Sequence, residues 1–189
     1  MGELVELPGY DDLLASVSDV VSQWQALDRA TASRTRVVTC WTIGRLITQF
    51  EQGTPAGSIP AGALVNQLGA DLADRVGLGF PASELRYCRR FYNLWPPDEV
   101  LQRPYVRHLR PKPCPVTGAI PDNCGVPDPA VLAEMLPLSW VAYQRLMAVA
   151  DDDARLYYEM EALRSRMSAT DVTAMIRRKK YERSRPAQR

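Results

Sequence analysis

At 189 residues the chain can bury one proper core, or at most two small lobes that share one, and it has no room for a large separate catalytic domain. A make-up that is 46% hydrophobic and 24% charged belongs to an ordinary globular protein and excludes a fully disordered or membrane-embedded one. The formal net charge of +1 conceals a polarity: six acids (Glu3, Glu6, Asp11, Asp12, Asp19, Asp28) face the one base Arg29 in residues 1–30, whereas residues 164–189 hold nine bases against Asp171 and Glu182, so a polyanion is drawn to the basic end.

Leu13, Val17, Val20, Trp24 and Leu27 recur at spacings of three and four, which predicts a first helix from about Asp11 to about Ala32. The next segment carries Val37, Cys40, Trp41, Ile43, Gly44, Ile47 and Phe50 round most of its circumference. It predicts a buried helix in which Gly44 lets another backbone come close, ended by Gln52-Gly53-Thr54-Pro55. Pro60 suits the first turn of a third helix with Leu64, Leu68, Leu72 and Val76, and Gly77-Leu78-Gly79 breaks it. Pro81 restarts the chain as a fourth helix over Ala82–Leu94, with Leu85, Cys88, Phe91 and Tyr92 inward and Arg86, Arg89, Arg90 and Asn93 able to face out. Helix, glycine turn and basic helix follow the order of a helix-turn-helix.

Residues 96–137 hold ten prolines and little periodicity, so a long Pro-rich loop or insertion is expected, with room for the short strands of a wing. Helical patterning returns at Leu138 with Ser139 as N-cap, runs through Trp140, Tyr143, Leu146 and Met147, and stops near Asp151-Asp152-Asp153. Another helix carries Leu156, Tyr157, Met160 and Leu163. Ser168 with Asp171 approximates a capping box ahead of a last helix whose apolar side is Val172, Met175 and Ile176. Its other side is Arg177, Arg178, Lys179, Lys180, Arg183 and Arg185.

No apolar run approaches a membrane span, and the acidic start lacks the basic-then-apolar layout of a secretory signal, so the expected location is the cytoplasm. Cys40 and Cys88 sit in helical patterns while Cys114 and Cys124 lie in the Pro-rich stretch, which reads as reduced thiols rather than a disulfide framework. His108 is the single histidine, on a loop without a nucleophile elbow, and with Cys114 and Cys124 it lacks the close cysteine pair of a zinc site. The Gly77-x-Gly79 turn has neither the strand nor the third glycine of a nucleotide-binding fold. A nuclease of the PD-(D/E)xK kind needs an acid two residues before its lysine, yet Lys112, Lys179 and Lys180 follow Arg110, Arg177 and Arg178. The expectation is therefore no enzyme, no catalytic residue, no metal and no cofactor.

Trp41-Thr-Ile-Gly44-Arg45, Gly79-Phe80, Arg90-Phe91-Tyr92, Leu138-Ser139-Trp140 and Tyr181-Glu182-Arg183 occur in an order that resembles the amino-terminal domain of the YhcG-type family, whose members usually continue into a PD-(D/E)xK nuclease. The likeness extends over roughly residues 25–185. It departs from the family pattern at Pro81 for Ser, Ala142 for His, Met167 for the late Trp and Thr170 for the Arg that follows. The resemblance implies one mainly α domain over residues 1–189, winged-helix-like and DNA-binding, here without the nuclease domain: a helical lobe over 10–95, the Pro-rich loop over 96–137, and a helical lobe with a basic end over 138–185.

On that reading the candidate nucleic-acid-binding residues are Arg86, Arg89, Arg90, Arg177, Arg178, Lys179, Lys180 and Arg183, contacting the phosphates of duplex DNA. Each group has a bland rival. Arg86, Arg89 and Arg90 can instead pair with Asp71, Asp74 or Glu84, and the terminal cluster can be a basic helix end favoured by the helix dipole. Arg45, inside a buried helix, is read as a structural salt bridge, and Trp140, Tyr157 and Tyr158 as core or interface more than base-stacking platforms. A different class of function stays open: an assembly module whose acidic first helix and aromatic stripes dock a separate nuclease, a defence component or a second copy of the chain.

Overall fold

Residues 8–60, 62–77, 80–97, 100, 103, 105 and 129–184 are described by a computed structural model, apart from the side chains of Arg34 and Ser184, and no strand occurs among them. The described chain is mainly helical. Met1–Leu94 and Trp95–Arg189 form two compact units.

In the first unit α1 spans Tyr10–Gln25 and buries Tyr10, Leu13, Val17 and Val21. It ends before the expected Ala32 because the Asp28 carboxylate caps the next helix, accepting from the backbone N–H of Ala30 at 3.0 Å and of Thr31 at 3.1 Å. Leu27, on the predicted stripe, is left 38% exposed in the corner. The second helix, α2, spans Arg29–Gly53 and buries Val37, Cys40, Trp41, Ile43 and Ile47. α3 (Ala63–Val76) stops at Gly77, whose φ of 78° suits a residue without Cβ, and α4 spans Ala82–Leu94. The close approach expected at Gly44 exists: a Cβ there would lie 2.0 Å from the Cys88 carbonyl oxygen. Trp41 and Tyr92 meet edge to face at 5.0 Å beside it. Arg36 lies between the rings of Trp24 and Phe80, 4.5 and 4.2 Å from their centroids, and binds Glu84 at 2.7 Å.

In the second unit α5 (Pro129–Met135) falls inside the stretch expected to be loop. Proline is suited to the first helical position, where no N–H is needed, so Pro129 opens this helix instead of preventing it. Residues 106–128, which contain most of the expected loop and any wing, lie outside the described residues. Helix α6 spans Trp140–Met147 with Ser139 accepting from Ala142 N–H at 3.3 Å, and α7 spans Asp152–Arg164 with Asp151 accepting from Ala154 N–H at 2.8 Å. Ser168 and Asp171 make a full reciprocal capping box for α8, Ala169–Arg177. A short α9, Lys180–Ser184, follows. Trp95, Leu132, Met135, Tyr143, Leu146, Tyr158, Ala162 and Val172 fill the core.

Candidate nucleic-acid interface

On α4 the residues Ser83, Arg86, Tyr87, Arg90 and Asn93 are exposed at helical spacing, so one polar stripe faces out while Leu85, Cys88 and Phe91 face in. Tyr87 is 44% exposed in the middle of it. All three candidate arginines make interactions in the folded chain. Arg89 binds Glu51 at 2.6 Å, and Arg86 donates to the Asn66 side-chain oxygen. Of the acids weighed as their partners, Asp71 accepts from the Tyr10 hydroxyl and Glu84 pairs with Arg36. Arg45 makes no ion pair among the described residues; it donates to Gln49 on its own helix at 3.3 Å.

The second unit concentrates its cations round α8. This helix forms a ridge between two depressions that share Ala174 and Arg178. One, of about 450 Å³, is bordered by Arg145 of α6 and Arg177. The other, of about 550 Å³, is bordered by Arg166, Lys180 and Arg183. The side chains of Arg145, Arg166, Arg177, Arg178, Lys179 and Arg183 make no ion pair or hydrogen bond among the described residues. Lys180 differs: it binds Glu161 at 2.7 Å, which also takes Arg164, and these partners hold the Glu161 carboxyl below the usual carboxylate range.

The nearby acids have partners other than these six. Asp171 accepts from the Ser168 hydroxyl at 2.7 Å and backbone N–H at 3.0 Å, which lowers its pKa and keeps it ionised as a cap. Glu182 accepts from the Tyr158 hydroxyl at 3.0 Å, and Asp152 binds Arg155 at 2.6 Å. Unpaired positive charge gathered round one helix raises the local potential even where the whole chain is near neutral.

Two backbone positions add to this. Arg166 and Lys179 adopt φ of 49° and 50°, the left-handed region that costs a side-chain-bearing residue energy. Arg166 closes α7 where glycine is favoured, with its own N–H on Leu163 O at 3.3 Å and Met167 N–H on Ala162 O at 2.9 Å. Arg177, Arg178, Lys179 and Arg183 are candidates already from the sequence; Arg145 and Arg166, which border the same helix, are not among them. Arg145 lies on the polar side of the pattern Trp140, Tyr143, Leu146, Met147, a signal that was legible, although its nearness to α8 is tertiary.

The unit's other polar centre is built round Glu159. Glu159 is fully buried, accepting from Trp95 Nε1 at 3.1 Å and the Tyr105 hydroxyl at 2.8 Å, with Arg103 at 3.5 Å. Burial raises its pKa despite the opposing pull of Arg103. Glu159 is closed to solvent while Arg103 and Tyr105 are partly exposed, so the cluster reads as a core network at the edge of the unit. Trp140 and Tyr158 are buried as well, while Tyr157 is half-buried against Tyr158 and Tyr181. Cys40 and Cys88 are buried thiols, and burial pushes Cys88 well up. Asp98, Glu99, His108, Lys112, Cys114, Cys124 and Arg185 lie outside the described residues. Among the described residues no three His, Cys, Asp or Glu side chains assemble as a metal site, and no helix is long and apolar enough to cross a membrane.

Residues 16–183 match the family described as the DUF1016 N-terminal domain. The chain is also 30% identical over 176 residues to Putative nuclease YhcG of Escherichia coli (strain K12), an alignment that covers 93% of this chain and 47% of that protein. The chain thus spans about half the length of the curated relative it matches. No solved structure matches it.

Proposed function

This chain belongs to the DUF1016 N-terminal domain family, and from that premise we propose that it is a non-catalytic module that binds duplex DNA through arginine-rich helical surfaces. The observation that carries the reading is the set of six cations round α8 with no partner among the described residues. Charges left unpaired round one helix supply affinity for phosphates, since each neutralised phosphate releases condensed counterions. The relative's name, Putative nuclease YhcG, points to a nucleic acid as the polyanion. Arg86 and Arg90, exposed on α4, add a second, smaller contact in the first unit by exchanging their present interactions for phosphates; Arg89, held by Glu51, adds least. The non-catalytic part of the reading is supported by the lysines, none of which has an acid two residues before it.

Fluorescence polarisation of a labelled duplex at about 50 and about 200 mM salt tests it. Binding that weakens steeply with salt is expected, and further weakening in Arg177→Ala/Arg178→Ala. A duplex that stays unbound even at the lower salt refutes the reading.

A further inference from the structure

The turn that joins α7 to α8 is Ser165-Arg166-Met167-Ser168, a four-residue connection with its second residue in the left-handed region. Helix-turn-helix units use a connection of this length, commonly with glycine at the left-handed position, and place the second helix in the major groove. The sequence pattern drew attention to Gly77-Leu78-Gly79 and α4 for this motif; α7 and α8 have the same order without a glycine to announce it.

The stripe Thr170, Thr173, Ala174 and Arg177 of α8, at steps of three, one and three, lines the depression that Arg145 borders, with Thr170 and Arg177 exposed and Thr173 and Ala174 half-buried. Three of these side chains are short, so the helix backbone can approach a surface; the Thr170 hydroxyl can donate to or accept from base edges, and that of Thr173, which donates to Ala169 O at 2.9 Å, can still accept. Arg145 stands on one flank of this ridge and Arg166 with Arg183 on the other. A helix with side chains is about 10–12 Å across. The major groove of B-form DNA is about 12 Å wide, whereas that of A-form RNA is too deep and narrow to admit such an element.

We infer that α8 is the DNA-reading helix: it lies in the major groove of B-form duplex DNA, with Arg145 and the Arg166–Arg183 pair taking phosphates of the two opposite strands. The inference rests on the DNA-binding reading above and assigns its principal contact to the second unit. It also accounts for the two left-handed basic residues. A glycine at 166 or 179 would relieve the backbone but remove a cation from the flank or end of the ridge.

The test uses the whole chain, a labelled mixed-sequence DNA duplex and an RNA duplex of the same sequence. Thr170→Glu puts a carboxylate on the ridge at an exposed first-turn position that tolerates acids, so folding is retained and checked by circular dichroism. It should lower DNA affinity by roughly tenfold or more, the scale of losing a groove contact. Arg177→Ala, at the other end of the stripe, should lower it by about fivefold. Ser16→Glu, which adds the same charge on the exposed side of α1, should change affinity less than about twofold. The RNA duplex should compete poorly. Equal competition by RNA overturns the groove assignment, as does a larger loss in Arg86→Ala/Arg90→Ala than in Thr170→Glu, which would make α4 the reading helix. Undiminished DNA binding by Thr170→Glu sinks only the α8 assignment, whereas a wild-type chain that binds no duplex sinks the DNA reading itself.

Discussion

A methyl group at Gly44 would sit 2.0 Å from the Cys88 carbonyl oxygen, 2.6 Å from its carbon and 3.0 Å from Tyr92 Cβ. The first two are backbone atoms that no rotamer change can move, so Gly44→Ala must push α4 away from α2. Overpacking of this kind costs about 3 kcal/mol, the upper part of its usual range, and urea unfolding should read that loss. Gly53→Ala is the matched control, because a Cβ at the last residue of α2 meets nothing within 4 Å. It should leave stability unchanged or raise it by about 0.5 kcal/mol. Glu159 gives a second prediction at this scale. Its carboxyl is raised above the ordinary 4.5 because burial disfavours the charge more than Arg103, Tyr105 and Trp95 favour it. For an acid with a raised folded pKa, its contribution is fully present below the unfolded value and is lost as pH rises through the folded one. The stability cost of Glu159→Gln, which does not titrate, should therefore be largest below pH 4.5 and shrink at higher pH. Melts at acidic and neutral pH would reveal the slope; a cost that grows with pH would mean that the Arg103 pairing outweighs burial.

The turns that end α7 and α8 have opposing demands on them. Arg166 and Lys179 hold left-handed conformations that glycine adopts without strain, so Arg166→Gly and Lys179→Gly should each raise the unfolding free energy by up to about 1 kcal/mol. If their charges serve DNA, the same substitutions should weaken duplex binding. Stability and affinity moving in opposite directions would separate a functional charge from a structural one, and a variant that loses both would show that the side chain packs instead. The ends of α3, α6 and α8 were legible because their signals are local: Gly77, Ser139, and the reciprocal Ser168–Asp171 pair. The α1–α2 corner was not read, because apolar spacing through Trp24 and Leu27 competes with the capping power of Asp28, and the cap wins. Helix α5 was hidden by proline content, although Pro129 at its first position is a helix signal in its own right. The basic end of the candidate site was legible as a run from Arg177 to Arg183. Its flanks at Arg145 and Arg166, which are 21 residues apart in sequence, become neighbours of α8 only through tertiary packing.

For the whole molecule the relevant fact is near-neutrality: a net charge of +1 and an isoelectric point near 7.6 give no overall field to attract a polyanion. Any affinity for DNA must come from the local arrangement of charge. The residues proposed to supply it are arginines and Lys179, and guanidinium groups stay charged across the physiological range. The chain has a single histidine, so raising the pH from about 6.5 to about 8.5 shifts the net charge through zero while leaving the guanidinium face as it was. Duplex affinity at constant ionic strength should accordingly change by less than about threefold over that interval. Binding that collapses as the pH passes 7.6 would instead tie it to the summed charge of the chain, and the face round α8 would lose its standing as the contact surface. Because salt is held fixed, the pH series reports on the placement of charge, and it does so without altering a single residue of the interface.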